Sequence, residues 1–299
     1  MGTRITQTML NTQMLRNINQ NLNRMDNLQN QLSTGRKINK PSDDPVGISF
    51  SMRYRSELTA NDQYTSNVDA VQSWLDYTDT TLGQMGQVLQ RARELAVSGA
   101  NGTNSTDSLN AMKIEVDQLY NQLVNIGNSQ FNGKYVFNGQ MTDVKPFPDD
   151  SNAMNAVTDT FENQFSIGLG VRIAVNKTAE QVFGASGADN NAFQVLKDLS
   201  EALGAQNTQG IQKALGKLDE RMSAFLGVRS DVGAKSNRIQ LAADRLSDIN
   251  VNLNTLQTKT EDADIAAVIT NLKMNENVYQ ASLSAGSRLI QPSLLDYLR

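Results

Sequence analysis

Apolar residues recur every three or four positions over most of the chain, which is the period of an amphipathic helix. One such series runs over residues 68–96 and a second over 109–126, with a turn-forming segment at 98–102 between them. This pattern predicts two antiparallel helices whose apolar faces meet in the core of a bundle. The series are Val68, Val71, Leu75, Thr78, Leu82, Met85, Leu89, Ala92 and Ala96, then Leu109, Met112, Val116, Leu119, Leu123 and Ile126.

The C-terminal part of the chain repeats this helical period. The five prolines leave two long intervals without any proline, so long uninterrupted helices are possible in both halves. The apolar series there are Ile211, Leu215, Leu218, Met222 and Phe225; Ile239, Ala242, Leu246, Ile249, Leu253 and Leu256; and Ile265, Ile269, Leu272, Tyr279 and Leu283.

The middle of the chain has a different pattern. Residues 131–190 are rich in Gly, Asn, Asp, Phe and Pro, and the strict alternation over 167–175 predicts one half-buried strand. Residues 135–137, followed by Asn138-Gly139, predict a shorter strand and a turn. The expected fold class is therefore mainly α, a long antiparallel helical bundle or coiled coil formed by the N- and C-terminal halves, with a small inserted β-rich domain at 131–190.

The first forty residues form a basic, narrowly amphipathic segment. Six Lys or Arg stand against one acid, a local net charge of +5, and the apolar stripe is Leu15, Ile18, Leu22, Met25 and Leu32. A helix of this kind is marginal alone and needs a partner helix. We expect that partner to be the C-terminal stripe, from the same chain or from a neighbour. A transit peptide would leave the C-terminal stripe unexplained, and a membrane-surface helix normally carries aromatics, of which none precedes Phe50.

The amino-acid composition excludes several kinds of functional site. The 299 residues include no Cys and no His, so disulfides, thiolate or imidazole metal sites and His-dependent triads are excluded. The net charge of −4 favours neither nucleic acid nor anionic membranes as partners, and we expect no membrane insertion. The 32 Asn and 24 Gln, with only 6% aromatic residues, favour the narrow core of a helical bundle. We predict that the protein is not an enzyme and uses no cofactor or metal.

Residues 32–47 interrupt the helical pattern in a structured way. Gly35 is placed to cap a helix C-terminus in the left-handed conformation, and Pro45 suits the first turn of a following helix. Ser42, Asp43 and Asp44 are candidate N-caps, and Pro41 lies just before them. The segment is therefore expected to join a terminal helix to a long second helix.

The same segment, LSTGRKINKPSDDPVG, resembles the N-terminal joint of the bacterial flagellin family, and residues 91–96, RARELA, resemble a further segment of that family. The resemblance covers the whole chain, because matching helices lie at both ends of a variable middle. Within the family, three segments are more similar to the member that joins hook to filament than to filament flagellin: PSDDP at 41–45, NGKYVFNG with KPF over 132–147, and LLDYL at 294–298.

The resemblance implies a role and a set of partners. It implies export in an unfolded state through the flagellar type III system to an extracellular position, and assembly as a short zone between hook and filament. Expected partners are copies of itself, a hook-associated protein on the hook side, flagellin on the filament side, and an export chaperone at the C-terminal helices. The expected domains are 1–44 with 257–299, which are disordered in the monomer and line the tube; 45–130 with 191–256 as the bundle core; and 131–190 as the outer domain. The expected interface residues are Leu15, Ile18, Leu22, Met25, Leu32, Leu246, Ile249, Leu253, Leu256, Ile265, Ile269, Leu272 and Leu283.

Other functions remain as alternatives: filament flagellin itself, or a long-helix binding adaptor. The adaptor has no need for paired stripes at both ends of its chain. An enzyme would have only scattered carboxylates to use. The acidic groups Asp149-Asp150 and Glu261-Asp262-Ala263-Asp264 lack the spacing of an EF-hand loop, and we interpret both as solvated turns.

Overall fold

The structure is a computed structural model that describes residues 7–102 and 104–290. The prediction of a mainly α fold with a small β-rich insert is confirmed, because two short antiparallel hairpins interrupt a chain of long helices. The helices are α1 (Gln7–Thr34), α2 (Pro45–Gly99), α3 (Thr106–Gly127), α4 (Ala179–Phe183), α5 (Ala192–Gly204), α6 (Thr208–Glu261) and α7 (Ile265–Ile290). The strands are β1 (Gln130–Phe131) paired with β2 (Lys134–Tyr135), and β3 (Gln164–Gly168) paired with β4 (Val171–Ala174).

The chain divides into two compact units. The terminal unit comprises residues 1–60 and 249–299, and the central unit comprises residues 61–248. The finer division into three domains made from the sequence stays a prediction. Within the two described ranges, no helix combines the length and the apolarity needed to cross a bilayer.

In the central unit, α2 and α6 run antiparallel. Arg229 Nε donates to Asp79 Oδ1 at 3.0 Å, and Asn61 Nδ2 donates to the Leu246 carbonyl at 3.1 Å. The residue number falls along one helix as it rises along the other, which defines the antiparallel sense. Helix α3 packs antiparallel to α2 by the same criterion: Arg91 Nε donates to Glu115 Oε1 at 2.6 Å, and a Cβ at Gly99 would lie 3.8 Å from Met112 Sδ.

The apolar series predicted for α2 forms the core of this unit. All nine positions from Val68 to Ala96 are buried, and seven of them are fully inaccessible at 0% exposure. Burying such a stripe removes apolar surface from water, which stabilises the fold by about 25 cal/mol per Å². The bundle-core interpretation of this series is confirmed.

Aromatic side chains fill the base of the insert. The Phe147 and Phe193 rings lie 4.8 Å apart, and the Phe183 and Phe193 rings are stacked at 5.2 Å. Phe137 meets Phe183 edge to face at 5.5 Å. The chain passes close to these rings at Gly127, where a Cβ would lie 2.6 Å from Phe147, so a side chain at that position would displace the cluster.

The predicted single strand over 167–175 is wrong: the segment is the hairpin of β3 and β4. The chain reverses at Leu169-Gly170, and Gly170 adopts φ 71°, which a glycine tolerates without strain. Alternation with period 2 continued through the two turn residues, so it could not distinguish one strand from two. Of the short strand predicted at 135–137, only Tyr135 lies in a strand, and Val136 and Phe137 continue directly into the core.

Candidate assembly interface

The terminal helices α1 and α7 pack against each other. On each helix the least exposed residues recur every three or four positions, which marks one contact face. We name this face the inner seam. It consists of Met14, Ile18, Asn21, Met25 and Leu28 on α1, and of Val268, Leu272, Asn275, Tyr279, Ser282 and Gly286 on α7.

The seam closes tightly near the two chain ends. The Met14 side chain lies over Gly286, and a Cβ at Gly286 would overlap the Met14 thioether. The position of Met14 against Gly286, together with an antiparallel bridge between Arg36 and Asp262, shows that the pair is antiparallel. The predicted pairing of the two ends is therefore present within one chain.

A second set of apolar residues stays outside the seam. On α1, Leu15 is 62% exposed, Leu22 40% and Leu32 36%. On α7, Ile269 is 44% exposed and Leu283 45%. We name these residues, with Ile265, Met274 and Val278 on α7, the outer stripes.

The predicted interface residues therefore fall into different environments. Ile18, Met25 and Leu272 lie in the inner seam, whereas Leu15, Leu22, Leu32, Ile265, Ile269 and Leu283 belong to the outer stripes. On α6, Leu246 and Leu253 are buried, Ile249 is half-buried and Leu256 is exposed. The sequence pattern identified Ile18 and Met25 but missed Met14 and Leu28, and it merged two faces of α1. The seam also contains the polar residue Asn21, which is only 8% exposed.

The N-terminal joint begins where α1 ends. Gly35 follows the last helical residue with φ 71°, and its amide donates to the Gln31 carbonyl at 2.9 Å, so the predicted left-handed cap is present. Asp43 then organises the loop, because its Oδ2 accepts the amides of Lys40 at 2.9 Å and Asn39 at 3.1 Å. Hydrogen bonds from those two amides hold the pKa of Asp43 below its ordinary value.

The long helix α2 begins at Pro45, as predicted, and Asp44 is its N-cap. The Asp44 Oδ1 atom accepts the amides of Gly47 at 2.9 Å and Val46 at 3.1 Å. Pro41 and Ser42 are exposed, so of the three candidate caps it is Asp44 that caps the helix.

The C-terminal joint lies against the N-terminal one. Helix α6 ends at Glu261, and Asp264 caps α7 by accepting the Ala267 amide at 3.1 Å. The two joints are connected by backbone hydrogen bonds: the Lys37 amide donates to the Glu261 carbonyl at 2.7 Å, and the Ala263 amide donates to the Gly35 carbonyl at 3.0 Å.

The Glu261 side chain is only 1% exposed and collects donors from three segments. Arg36 Nε lies 2.7 Å from its Oε1, and Ser51 Oγ donates to its Oε2 at 2.7 Å. Arg55 makes a forked contact, with Nε 3.2 Å from Oε2 and Nη2 against Oε1. Gln257 Nε2 donates to Oε2 at 3.3 Å. We name this group the Glu261 cluster: Glu261 with Arg36, Ser51, Arg55 and Gln257.

The electrostatics of Glu261 follow from these contacts. Burial raises the pKa of Glu261, but the hydrogen bonds from Ser51, Arg55 and Gln257 outweigh it, and the pKa lies below its ordinary value of 4.5. The carboxylate is thus held in its charged form by partners that come from α2 and α6.

The interpretation of 261–264 as a solvated turn is therefore wrong for Glu261. The correct arrangement could not be found from sequence spacing, because Ser51 and Arg55 lie about two hundred residues away in the chain. Among the residues that the structure describes, no group of three or more acidic side chains is arranged to hold a metal ion.

The fold and the joint together define a class of protein: a helical subunit in which the terminal helices α1 and α7 pack in one unit and carry exposed apolar stripes beside their seam. Two sequence models of one family match the chain. The bacterial flagellin N-terminal helical region matches residues 5–142, and the bacterial flagellin C-terminal helical region matches residues 215–298. The chain belongs to the bacterial flagellin family, and its role is structural, in the bacterial flagellum.

Individual relatives agree with this assignment. The flagellar filament 30.7 kDa core protein of Treponema maltophilum is 26% identical over 259 residues, 85% of this chain and 84% of that protein. Flagellar hook-associated protein 3 of Escherichia coli is 24% identical over 277 residues, 85% of this chain and 87% of that protein. The solved structure of flagellar hook-associated protein-3 from Legionella pneumophila covers 70% of this chain and 98% of its own, with a TM-score of 0.62 and 15% identity, which supports the same fold.

Proposed function

We propose that this protein joins the flagellar hook to the filament, as a short zone of subunits between them. The observation that carries an assembly role is the pair of outer stripes. Leucines and isoleucines that are 36–62% exposed lie along both terminal helices, beside a seam that is already closed within the chain. Apolar rows of this kind on a helical pair suit contact with further copies of the same pair.

Two sequence segments favour the junction over the filament proper. Residues 41–45, PSDDP, lie at the end of the N-terminal joint, where Asp43 and Asp44 hold the loop and cap α2. Residues 132–147 lead into the insert and supply Phe137 and Phe147 to the aromatic core. A third segment, LLDYL at 294–298, lies outside the described residues. The similarity to hook-associated protein 3 in sequence and to hook-associated protein-3 in fold points the same way.

The proposal includes a route and a set of partners. The chain is exported unfolded through the flagellar type III system, with a chaperone at the C-terminal helices, and takes its place outside the cell between a hook-associated protein and flagellin. A chain without cysteine needs no disulfide after such a passage. The protein acts by packing and is not an enzyme.

The proposal divides the chain by its role in the assembly. Residues 1–44 and 257–299 line the tube and are disordered in the monomer, residues 45–130 and 191–256 form the bundle, and residues 131–190 face outward. Ordering the ends only on assembly would oppose premature polymerisation, because the entropy of ordering is lost at that step. Limited proteolysis of the purified monomer should trim roughly forty residues from each end. Protection of both ends in the monomer would contradict the disorder.

Deletion of the gene tests the junction role. Cells without the protein should keep their hooks and shed filament protein into the medium. Complementation with the natural gene should restore filaments, and so should a gene with Leu169→Asp, because Leu169 is 92% exposed in the insert. Complementation with Leu15→Asp and Leu22→Asp together should fail, since both changes charge the outer stripe of α1. Filaments that remain attached in the deletion strain would disprove the junction role.

Filament flagellin is the second candidate. The specific observation in its favour is the Treponema maltophilum relative named as a filament core protein, which matches 85% of this chain. The deletion experiment separates the two candidates. A filament subunit predicts that deletion abolishes filament protein itself, whereas a junction subunit predicts its release.

A further inference from the structure

The Glu261 cluster lies where both terminal helices leave the rest of the terminal unit. Helix α1 ends one residue before Gly35, and α7 starts at Ile265, four residues after Glu261. Two backbone hydrogen bonds and the Glu261 side chain join these points. Each terminal helix is therefore tethered within a few residues of its partner, whether or not the helices themselves are paired.

Tethering at one point controls which partner a helix finds. Two segments joined through a short connection meet at an effective concentration in the millimolar range, and this concentration falls as the connection lengthens or loosens. In an assembly, every copy presents an α1 and an α7, so α1 of one copy can in principle pair with α7 of another. Such an exchange of identical elements is domain swapping, and joints at hinges are where it arises.

We propose that the Glu261 cluster is a specificity device: it commits α1 to pair with α7 of its own chain and suppresses exchange between copies. Arg36 and Arg55 are half exposed, at 48% and 43%, whereas Glu261 is buried, so the carboxylate is the common element on which the other groups converge. Without its charge, the side-chain link between the N-terminal joint, α2 and α6 is lost, and the two backbone bonds are left alone.

This role goes beyond the junction function and does not depend on it. A subunit of any helical assembly needs its own ends paired if the outer stripes are to present the same surface on every copy. The cluster acts when the two ends become ordered, so the test uses purified protein in a solution in which circular dichroism shows α1 and α7 to be helical. Its result is independent of whether hooks and filaments are joined in cells.

The natural absence of cysteine makes the test direct. Met14→Cys and Gly286→Cys together place two thiols at a contact of the inner seam. A short bifunctional thiol reagent then produces either an internally crosslinked monomer or a crosslinked dimer. The protein concentration at which the two products are equal measures the effective concentration of α7 around its own α1.

The double-cysteine protein is compared in three backgrounds: the parent, Glu261→Gln and Glu276→Gln. Glu276 lies on α7 and, among the residues that the structure describes, forms its ion pair with Lys273 at 2.8 Å, so its substitution removes an acid from the same unit without touching the cluster. We expect the parent and the Glu276→Gln background to agree, and the Glu261→Gln background to show an effective concentration lower by about fivefold or more. Equal values in all three backgrounds would overturn the proposal.

A second substitution and a folding check distinguish loss of the cluster from a failure of the variant to fold. Arg55→Gln removes the forked partner of Glu261 and should lower the effective concentration in the same direction. Resistance of residues 61–248 to trypsin checks that the central unit is folded in each variant. If Arg55→Gln and Glu261→Gln both leave the parent value unchanged while the central unit is folded, the cluster does not select the partner of α1.

Discussion

The central and terminal units are both built around helices, but different forces dominate their interiors. In the central unit the α2 stripe is apolar at eight of nine positions, and four phenylalanines close the base of the insert. In the terminal unit the seam includes Asn21, Asn275 and Ser282, and the most buried ionisable side chain is a carboxylate held by two arginines. The first interior is stabilised by removing apolar surface from water, whereas the second depends on directed polar contacts.

This difference separates stability from specificity. Apolar burial is strong but non-directional, so it tolerates alternative packings of similar volume. A buried ion cluster contributes little net stability, because desolvation offsets much of its attraction, but it admits one arrangement of its partners. The central unit is therefore suited to be the stable body of the subunit, and the terminal unit to form one defined contact.

The largest effect is expected in the aromatic core. Phe183→Ala should lower the free energy of unfolding by about 3–5 kcal/mol, because the ring is fully buried and its removal leaves a cavity between Phe137, Phe147 and Phe193. Urea unfolding of the purified protein measures this change. Phe161→Ala is the matched control, since Phe161 is 67% exposed, and it should change little. Similar losses for the two substitutions would contradict the packed core.

A smaller effect is expected at the Glu261 cluster. Glu261→Gln should lower the local opening free energy by about 2 kcal/mol, because hydrogen bonds to a charged group are replaced by neutral ones. Hydrogen exchange at the amides of Lys37 and Ala263, which bridge the two joints, measures this opening in a solution in which α1 and α7 are helical. Glu276→Gln should leave both amides unchanged, as its carboxylate lies in an exposed pair.

The same cluster predicts a pH dependence with a definite sign. Because the pKa of Glu261 is lower in the folded protein than its ordinary value of 4.5, the stabilisation is complete above pH 4.5 and is lost as the pH falls further through the folded pKa. The protection of the Lys37 amide should therefore decrease below pH 4.5 in the natural protein. In Glu261→Gln this part of the decrease should be absent. An identical pH profile in the two proteins would show that Glu261 is not the titrating group.

A change of about 1 kcal/mol is expected at the start of α2. Asp44→Ala removes the side chain that accepts the Val46 and Gly47 amides. The loss of an N-cap usually costs this amount of stability. Faster exchange in the first turn of α2 would report it. Ser42→Ala, two residues earlier on the exposed surface, should have no such effect, and equal changes at both sites would reject Asp44 as the cap.

The smallest effects distinguish two helical glycines. Gly227 in α6 is exposed with nothing near its missing Cβ, so Gly227→Ala should stabilise the central unit by about 0.5–1 kcal/mol, measured by urea unfolding. At Gly286 the same change meets the Met14 side chain, which has to move, so the helical gain should be offset. Proteolysis of the terminal unit measures the effect at Gly286. If Gly286→Ala made that unit clearly more resistant, as Gly227→Ala stabilises the central unit, the close seam contact would be absent.

Much of the helical architecture was predictable from local pattern. The α2 stripe, the left-handed turn at Gly35 and the start of α2 at Pro45 each follow from nearby residues. The hairpin of β3 and β4 was mistaken for one strand because its turn preserved the alternation. The sequence pattern did not predict α5 as a helix of its own, although Asn191 caps it by accepting the Phe193 amide at 3.0 Å.

The candidate site was only partly predictable. Some apolar positions of α1 were predicted, whereas Met14 and Leu28 were missed. The division into an inner seam and an outer stripe depends on how α7 lies against α1, and the seam is partly polar. The Glu261 cluster had no sequence signal, since an acidic residue near a helix end commonly faces water. Its burial results from the meeting of two joints that are far apart in the chain, which no local pattern records.

Asn21 affects how uniform the folded subunits are in length. Sliding α1 along α7 by one heptad would move this nearly buried amide by about 10 Å, away from the surroundings in which it is accommodated. A wholly apolar seam would tolerate such a slip, and two copies could then differ in length by that amount. A seam with a polar position gives each copy the same length, and repeated stacking multiplies any error in that length by the number of subunits.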